Sequence, residues 1–273
     1  KEYRRQRQMC IRDRMYSIGK DSSVLLHLAR KAFYPSNVPF SLLHIDTKWK
    51  FKEMISFRDK IKKKFKLKII TYTNQKGLKL NPQKDKNYTD VMKTKALKDA
   101  LDKYKFDVVY GGARRDEEAS RSKERIVSVR EYGHLWNPKN QKPELWSLYN
   151  FGRNDGQTLR VFPISNWTEF DIWNYIKREN IEIVDLYFSK KRKCVKRDGA
   201  YFFLDDKRFK IKNNEKIIFE NIRFRTLGCY PLTAGIKSNT KNLNEVIKET
   251  LYEKNSERSG PVSYTHLTLP TIL

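Results

Sequence analysis

The sequence is poor in the residues that build disulfides and metal sites. Its 273 residues include three cysteines and four histidines. Cys10, Cys194 and Cys229 form no close pair, and the histidines are scattered, so no metal-ligand spacing is present. A disulfide framework is thereby excluded, and a reducing cytoplasm fits the cysteine usage best. No apolar run approaches the length of a membrane span, about 20 residues. The basic N-terminus has no apolar stretch of the secretory kind. Internal repeats and low-complexity segments are lacking too.

What abounds is positive charge: 58 Lys and Arg against 32 Asp and Glu, a formal +26. Such a chain attracts polyanions or small anions. The lysines are spread along the sequence, as in KIKKKFKLK, and not gathered in one arm. Most therefore read as solvated helix faces, and neither nucleic acid nor a membrane is expected as a partner.

The two ends look foreign to the rest. MCIRDR (Met9 to Arg14) can be encoded by a stretch whose reverse complement reads PVSYTH, which is Pro261 to His266. Both ends resemble translated sequencing adapters. Residues 1–14 and 261–273 are accordingly set aside as non-native, which removes Cys10 and His266 as candidates. Residues 1–14 carry six Lys/Arg and two Asp/Glu, so the charge falls by four to +22. What remains of the strand entering the first loop is then only a Met15-Tyr16 stub.

Between the ends, strands and helices alternate. PFSLLHID (39–46), KLKIITYT (66–73) and FDVVYGG (106–112) read as strands. WKFKEMISFRDKIKKKF is an amphipathic helix. A second helix follows Thr89 as its cap, with Met92, Ala96, Leu97, Ala100 and Leu101 at helical spacing. DEEASRSKERIVSVRE reads as a further helix. Asn166 with Glu169, or Thr168 with Asp171, caps the one after LRVFPIS. The order predicts an α/β fold with a parallel sheet and flanking helices over 15–190. Over 191–260 it predicts a small region of β-hairpins with a C-terminal helix.

In parallel α/β sheets, ligands gather at the carboxyl ends of strands. Three polar signatures fall there: SIGKDSS, DTKW and GGARRDE. In the first, Gly19 permits close backbone approach. The hydroxyls of Ser17, Ser22 and Ser23 and the helix N-terminal N–H groups suit phosphate, and Lys20 adds a point charge. The same residues suit an ordinary capped turn, with Asp21 to Ser23 as caps. Asp21 is odd beside phosphate unless Mg²⁺ intervenes or it caps the helix. Gly111 and Gly112 precede Arg114 and Arg115, whose guanidinium forks match sulfate and phosphate. Asp116 and Glu117 orient them, hold Mg²⁺, or simply favour a helix N-terminus. Arg121 lies further along. Arg223 and Arg225 alternate with apolar residues on a strand and so share a face. His27, His44, Trp173 and Tyr175 read as core.

SIGKDSS resembles the SGGxDS loop of the PP-loop ATP pyrophosphatases, with Ile18 departing from the general pattern. The strings YSIGKDSSVLLHLARKAFYPSNVPFSLLHIDTKWKFKEMISFRD, FDVVYGGARRDEEASRSKERI, WNPKNQKPELW, RVFPISNWTEFDIWNYI and IRFRTLGCYPLT are similar to the small, catalytic subunits of bacterial heterodimeric sulfate adenylyltransferases. The resemblance runs from about Tyr16 to Gly260. It implies that ATP and sulfate give adenylyl sulfate and pyrophosphate, the first step of sulfate assimilation. It implies Ser17, Gly19, Lys20, Asp21, Ser22 and Ser23 at the β- and γ-phosphates, and Asp46 and Thr47 near the nucleotide. Arg114, Arg115, Arg223 and Arg225 would serve the anions. It also implies Mg²⁺, with Asp21 as a ligand, and a GTPase large subunit as partner.

Two rivals remain open on the sequence. A phosphoadenylyl-sulfate reductase shares the fold type but needs a cysteine in a Glu-Cys-Gly-Leu-His segment, and Cys229 sits in LGCYPLT instead. An RNA-modifying PP-loop enzyme would use the positive charge.

Overall fold

The computed structural model describes residues 12–118 and 121–252. Cys10, His266 and the PVSYTH segment lie outside these described residues. Six strands form the main sheet: β1 (Arg12–Met15), β2 (Ser41–Ile45), β3 (Ile69–Tyr72), β4 (Val108–Tyr110), β5 (Val127–Arg130) and β6 (Thr158–Val161). Their spatial order is β3-β2-β1-β4-β6-β5. All neighbours are parallel except β5, which runs antiparallel along β6. From β1 the chain goes outward to β2 and β3 on one side, then returns to lay β4 on the other. That reversal is the switch point at which the loops leaving two adjacent strands part and open a crevice. Here those strands are β1 and β4, and the loops are Tyr16 to Gly19 and Gly111 to Arg114.

β1 reaches further back than the Met15-Tyr16 stub expected from sequence. Asp13, Arg14 and Met15 pair with Ser41, Leu42 and Leu43, while Arg12, Asp13 and Arg14 pair with Val108, Val109 and Tyr110. The described part of the central strand is thus paired along both of its edges.

Helix α1 (Lys20–Phe33) follows the first loop, α2 (Lys52–Lys64) follows β2, and α3 (Ala96–Tyr104) precedes β4. A wider π-helical turn, Asp90–Lys95, leads into α3. Thr89 does not cap it: Thr89 is itself helical, at φ −65° and ψ −40°, with no side-chain cap bond. The helix expected to run through DEEASRSKERIVSVRE does not extend over its last part, since Val127–Arg130 form β5. Val127 and Val129 belong to a cluster with Val108, Leu159 and Val161. β-Branched residues that complete a sheet outweigh the helical spacing of the charges around them. Of the two caps offered for α4 (Glu169–Arg178), the structure uses Thr168 with Asp171, a full capping box.

The second sheet, ordered β10-β9-β7-β8, comprises β7 (Lys190–Arg197), β8 (Ala200–Phe203), β9 (Ile217–Arg223) and β10 (Ile236–Lys237). The β7–β8 turn is the expected Asp198-Gly199, with φ of 49° and 79°. Positive φ at both positions matches the twist of a two-residue hairpin. Helix α5 (Leu243–Tyr252) packs on α4. Phe51 at the start of α2 meets Phe224 and Tyr230 with ring centroids 4.8 and 5.2 Å apart, joining the small sheet to the large one. Trp173 and Tyr175 lie in the same apolar cluster, as expected.

Ile18 carries an unusual conformation. Its φ is +70°, in the region that L-residues other than Gly, Asn and Asp avoid. The general loop pattern has Gly at this place. Ile18 is fully buried in the main apolar cluster, so packing offsets a backbone cost of about 1–2 kcal/mol.

A stability measurement checks this feature. At Ile18, the Gly variant is expected to be more stable than the Ala variant by about 1 kcal/mol in urea titration. This inverts the usual order, because only Gly escapes the positive-φ penalty.

Candidate active site

The two loops of the crevice meet at the start of α1. Gly19 is the N-cap, with no side-chain cap bond. Asp21, Ser22 and Ser23 therefore lie inside the first turn and do not cap it. Ser22 and Ser23 turn inward, their hydroxyls donating to the Gly19 carbonyl at 2.8 and 3.1 Å. Ser17 is exposed at the mouth of the loop. Gly112 explains the glycine pair after β4. A Cβ there would stand 3.2 Å from the Asp21 Cβ and 3.3 Å from its carbonyl carbon, so the second loop rests on the first. At Gly111 a Cβ would come within 2.9 Å of the Phe162 ring.

Lys20 is completely buried. Its Nζ donates to the Arg225 carbonyl at 3.2 Å and lies 3.9 Å from both Asp21 Oδ2 and Glu169 Oε1. The ammonium stands 5.6 and 5.7 Å from the Trp173 and Tyr187 ring centroids. Its backbone N–H donates to the Tyr187 hydroxyl at 2.8 Å. Arg114, 1% exposed, donates from Nε to Asp21 Oδ1 at 2.6 Å, with Nη1 at 3.5 Å from Asp116 Oδ2. Asp116 in turn accepts the Glu169 backbone N–H at the start of α4, 3.0 Å away.

Glu169 ties the group together and was missed as a site residue, being weighed only as part of a helix cap. It is 4% exposed and accepts Arg225 Nε and Nη2 at 3.0 and 2.7 Å, and Trp173 Nε1 at 3.3 Å. Nothing in its immediate sequence distinguishes it from an acidic first-turn residue; only the fold brings Lys20 and Arg225 to it. Three cations, Lys20, Arg114 and Arg225, thus converge with three carboxylates, Asp21, Asp116 and Glu169.

Other expected residues go elsewhere. Arg115 diverges from Arg114: its Nε donates to the Glu124 carbonyl at 3.0 Å and its Nη1 to Asn166 Oδ1 at 2.6 Å. Arg121 pairs locally with Glu118 at 2.6 Å and Glu117 at 3.5 Å; these neighbours outweigh its burial and raise its pKa. Arg223 and Arg225 do not share partners, because β9 ends at Arg223. Arg223 Nε donates to Glu249 Oε1 on α5 at 3.0 Å, while Arg225 reaches Glu169. Asp46, half-buried past the end of β2, accepts the Lys48 N–H and Nζ at 2.8 and 2.9 Å. Those bonds hold its pKa low against the opposing effect of burial. Thr47 is buried between Tyr88, whose hydroxyl donates to its carbonyl at 2.7 Å, and Cys229, whose thiol is 3.5 Å from its Oγ1.

His44 is core, as expected. Burial, then Lys50, pushes its pKa down to about 4, so the ring is neutral near pH 7. Among the described residues no group of three His, Cys, Asp or Glu side chains stands ready to hold a metal, and Asp21 is engaged by Arg114. No helix among them is long and apolar enough to cross a membrane.

Residues 14–235 match the phosphoadenosine phosphosulfate reductase domain family. Sulfate adenylyltransferase subunit 2 of Aliivibrio fischeri is 57% identical over 250 residues, covering 90% of this chain and 83% of that protein. The protein of the same name from Psychromonas ingrahamii is 56% identical, covering 91% and 83%. Among solved structures, Candida glabrata FMN adenylyltransferase, in complex with FMN and an ATP analogue, superimposes with a TM-score of 0.50. At 16% identity, covering 94% of this chain and 71% of that one, it shares the fold alone. The chain belongs to the phosphoadenosine phosphosulfate reductase domain family and, within it, to the sulfate adenylyltransferase subunit 2 proteins.

Proposed function

We propose that the chain transfers the adenylyl group of ATP to sulfate, releasing pyrophosphate. The observation that carries this reading is Lys20, buried at the first turn of α1 with Arg114 and Arg225 converging beside it. A sulfate oxygen attacks the α-phosphorus, the bond to the β-phosphate oxygen breaks, and pyrophosphate leaves with that electron pair. Sulfate is already an anion, so no base is required. What is required is to hold two anions that repel each other and to neutralise charge growing on the leaving group. Backbone N–H groups at the start of α1, Ser17 and Lys20 form the cradle for the β- and γ-phosphates, and Ser22 and Ser23 shape its turn through the Gly19 carbonyl unless phosphate draws their hydroxyls away.

The cations are paired with Asp21, Asp116 and Glu169. Phosphate oxygens entering the crevice exchange with these carboxylates as acceptors, so the site is held in shape without nucleotide. Trp173 and Tyr187 exclude water from the Lys20 ammonium, which strengthens its field. Arg115, Asp46, Thr47, Gly111, Gly112 and Asp116 border the nucleotide in this reading. Arg121 and Arg223 act through the carboxylates they hold.

Mg²⁺ belongs to this reading as an ion brought by ATP, held mainly by phosphate oxygens and water. The described residues form no cage for it, so no step is derived through it. The subunit naming of the relatives supports a heterodimer, with a GTPase large subunit supplying the free energy for an uphill anhydride. A cytoplasmic setting fits this chemistry. Neither described cysteine favours the reductase reading, since Cys194 and Cys229 are both buried.

The test is sulfate-dependent pyrophosphate release from ATP with the large subunit present. Lys20→Ala and Arg114→Ala are each expected to lower the rate about 10²-fold or more. Full activity in both would falsify the assignment. Glu169→Gln leaves Lys20 and Arg225 with less countercharge and is expected to cost about 3 kcal/mol of stability. A non-hydrolysable ATP analogue should then raise the Tm of this variant more than that of the parent, because phosphate replaces the lost charge.

A further inference from the structure

A second group of arginines lies outside the crevice, on the face that β5 and β6 turn away from their valine cluster. The register sets Ser128 opposite Arg160 and Arg130 opposite Thr158, so Arg130 and Arg160 are diagonal neighbours on one face. Both are buried, at 1% and 6% exposure. Arg130 Nη2 donates to Glu124, while its Nε and Nη1 have no hydrogen-bond partner among the described residues. The Trp136 indole Nε1, buried beneath the same guanidinium at 5.7 Å from ring centroid to Cζ, has none either. The Arg160 side chain makes no hydrogen bond or ion pair among the described residues; only through-space charges act on it. Burial, then Arg130, pushes its pKa down to about 9. Burial likewise lowers that of Arg130, against the opposing Glu124.

Every orphan in this group is a donor. Arg130 bonds one carboxylate, Glu124, which acts on Arg160 only through space. The other carboxylates nearby are engaged elsewhere, Glu144 by the Val127 N–H and Asp102 by His134 Nε2, while Ser128 meets Gln141 and Thr158 meets His134 Nδ1. Buried donors without acceptors each cost free energy, and unpaired buried charge costs more. Water would satisfy the donors but not the charge. A dianion with several oxygens satisfies both, and paired guanidinium forks fit it geometrically. Arg115, Ser122, Lys123, Arg125 and Pro138 line an open cleft of about 330 Å³. Glu124, between two of these in sequence, reaches inward to Arg130.

We propose that Arg130 and Arg160, with the Trp136 N–H, form a built binding site for a tetrahedral oxyanion of the sulfate or phosphate class, entered from the Arg115–Lys123–Arg125 cleft. The anion is either the acceptor substrate or a separately bound inorganic ion, and the chemistry of the site is the same for both.

Equilibrium dialysis with labelled sulfate tests it, on the full chain at fixed ionic strength, with the Lys20 cradle filled by a non-hydrolysable ATP analogue. Saturable binding is expected, weakened about 10-fold or more in both Arg160→Gln and Arg130→Gln. No saturable binding, or binding undiminished in these variants, overturns the proposal. Thermal melting gives an independent readout that does not need the variants. Sulfate or phosphate should raise the parent Tm well beyond chloride at equal ionic strength, and equal effects of all three overturn it. Arg160→Met should in turn show a higher Tm than the parent without sulfate, since an uncompensated buried charge has gone; a large fall instead would mark Arg160 as structural and overturn the proposal. The source of the anion is read from kinetics. A raised KM for sulfate with unchanged KM for ATP in Arg160→Gln assigns the acceptor substrate. An unchanged KM, with the dialysis signal lost, assigns a separate ion.

Discussion

The structure depends on one buried ammonium. Lys20 emerges at the end of the central loop into a place walled by aromatic rings, where an unpaired charge would cost several kcal/mol. Glu169 from α4, the Arg225 carbonyl from beyond β9 and Asp21 from α1 supply its compensation. These come from widely separated parts of the chain. Satisfying Lys20 therefore requires both sheets and α4 to be in place together. The crevice is consequently not a decoration on a finished fold; the residues that would meet phosphate also fasten the C-terminal sheet to the N-terminal one.

Much of this was legible in the sequence, and the reasons are specific. SIGKDSS and GGARR lie where alternating strand and helix patterns place the carboxyl ends of strands, and the switch point between β1 and β4 brings them together. The small sheet was legible through Asp198-Gly199, whose backbone demands are local. What failed were readings in which local pattern competed with long-range contact. IVSV looked helical among charges but completes a sheet with β6. Arg223 and Arg225 looked equivalent by alternation, but the strand stops between them and their partners diverge. Glu169 could not be found from sequence, because its role arises from side chains 149 and 56 residues away in the chain.

Charge shows the same division. The overall positive balance spreads over exposed lysines, many already matched by local acids, as Lys60 and Lys64 are by Glu182. A small fraction of the charge is buried instead. Arg114, Arg130, Arg160, Arg223 and Lys20 are all withdrawn from water, where guanidinium and ammonium fields are weakly screened. Counting lysines along the sequence could not separate these two populations; burial does.

The hydroxyl of Tyr187 gives the crevice a particular character. It accepts the Lys20 amide, the first donor of α1, from 167 residues away. The position an anion's oxygen would take is thus held by a phenol, so departure of a ligand does not strand that amide in an apolar wall. Arrival and departure become an exchange of acceptors, whose net enthalpy is small compared with making the bond from nothing. Such a site gives up some grip on its product in return for a short dwell time, which suits a catalyst that must part with pyrophosphate at every turnover.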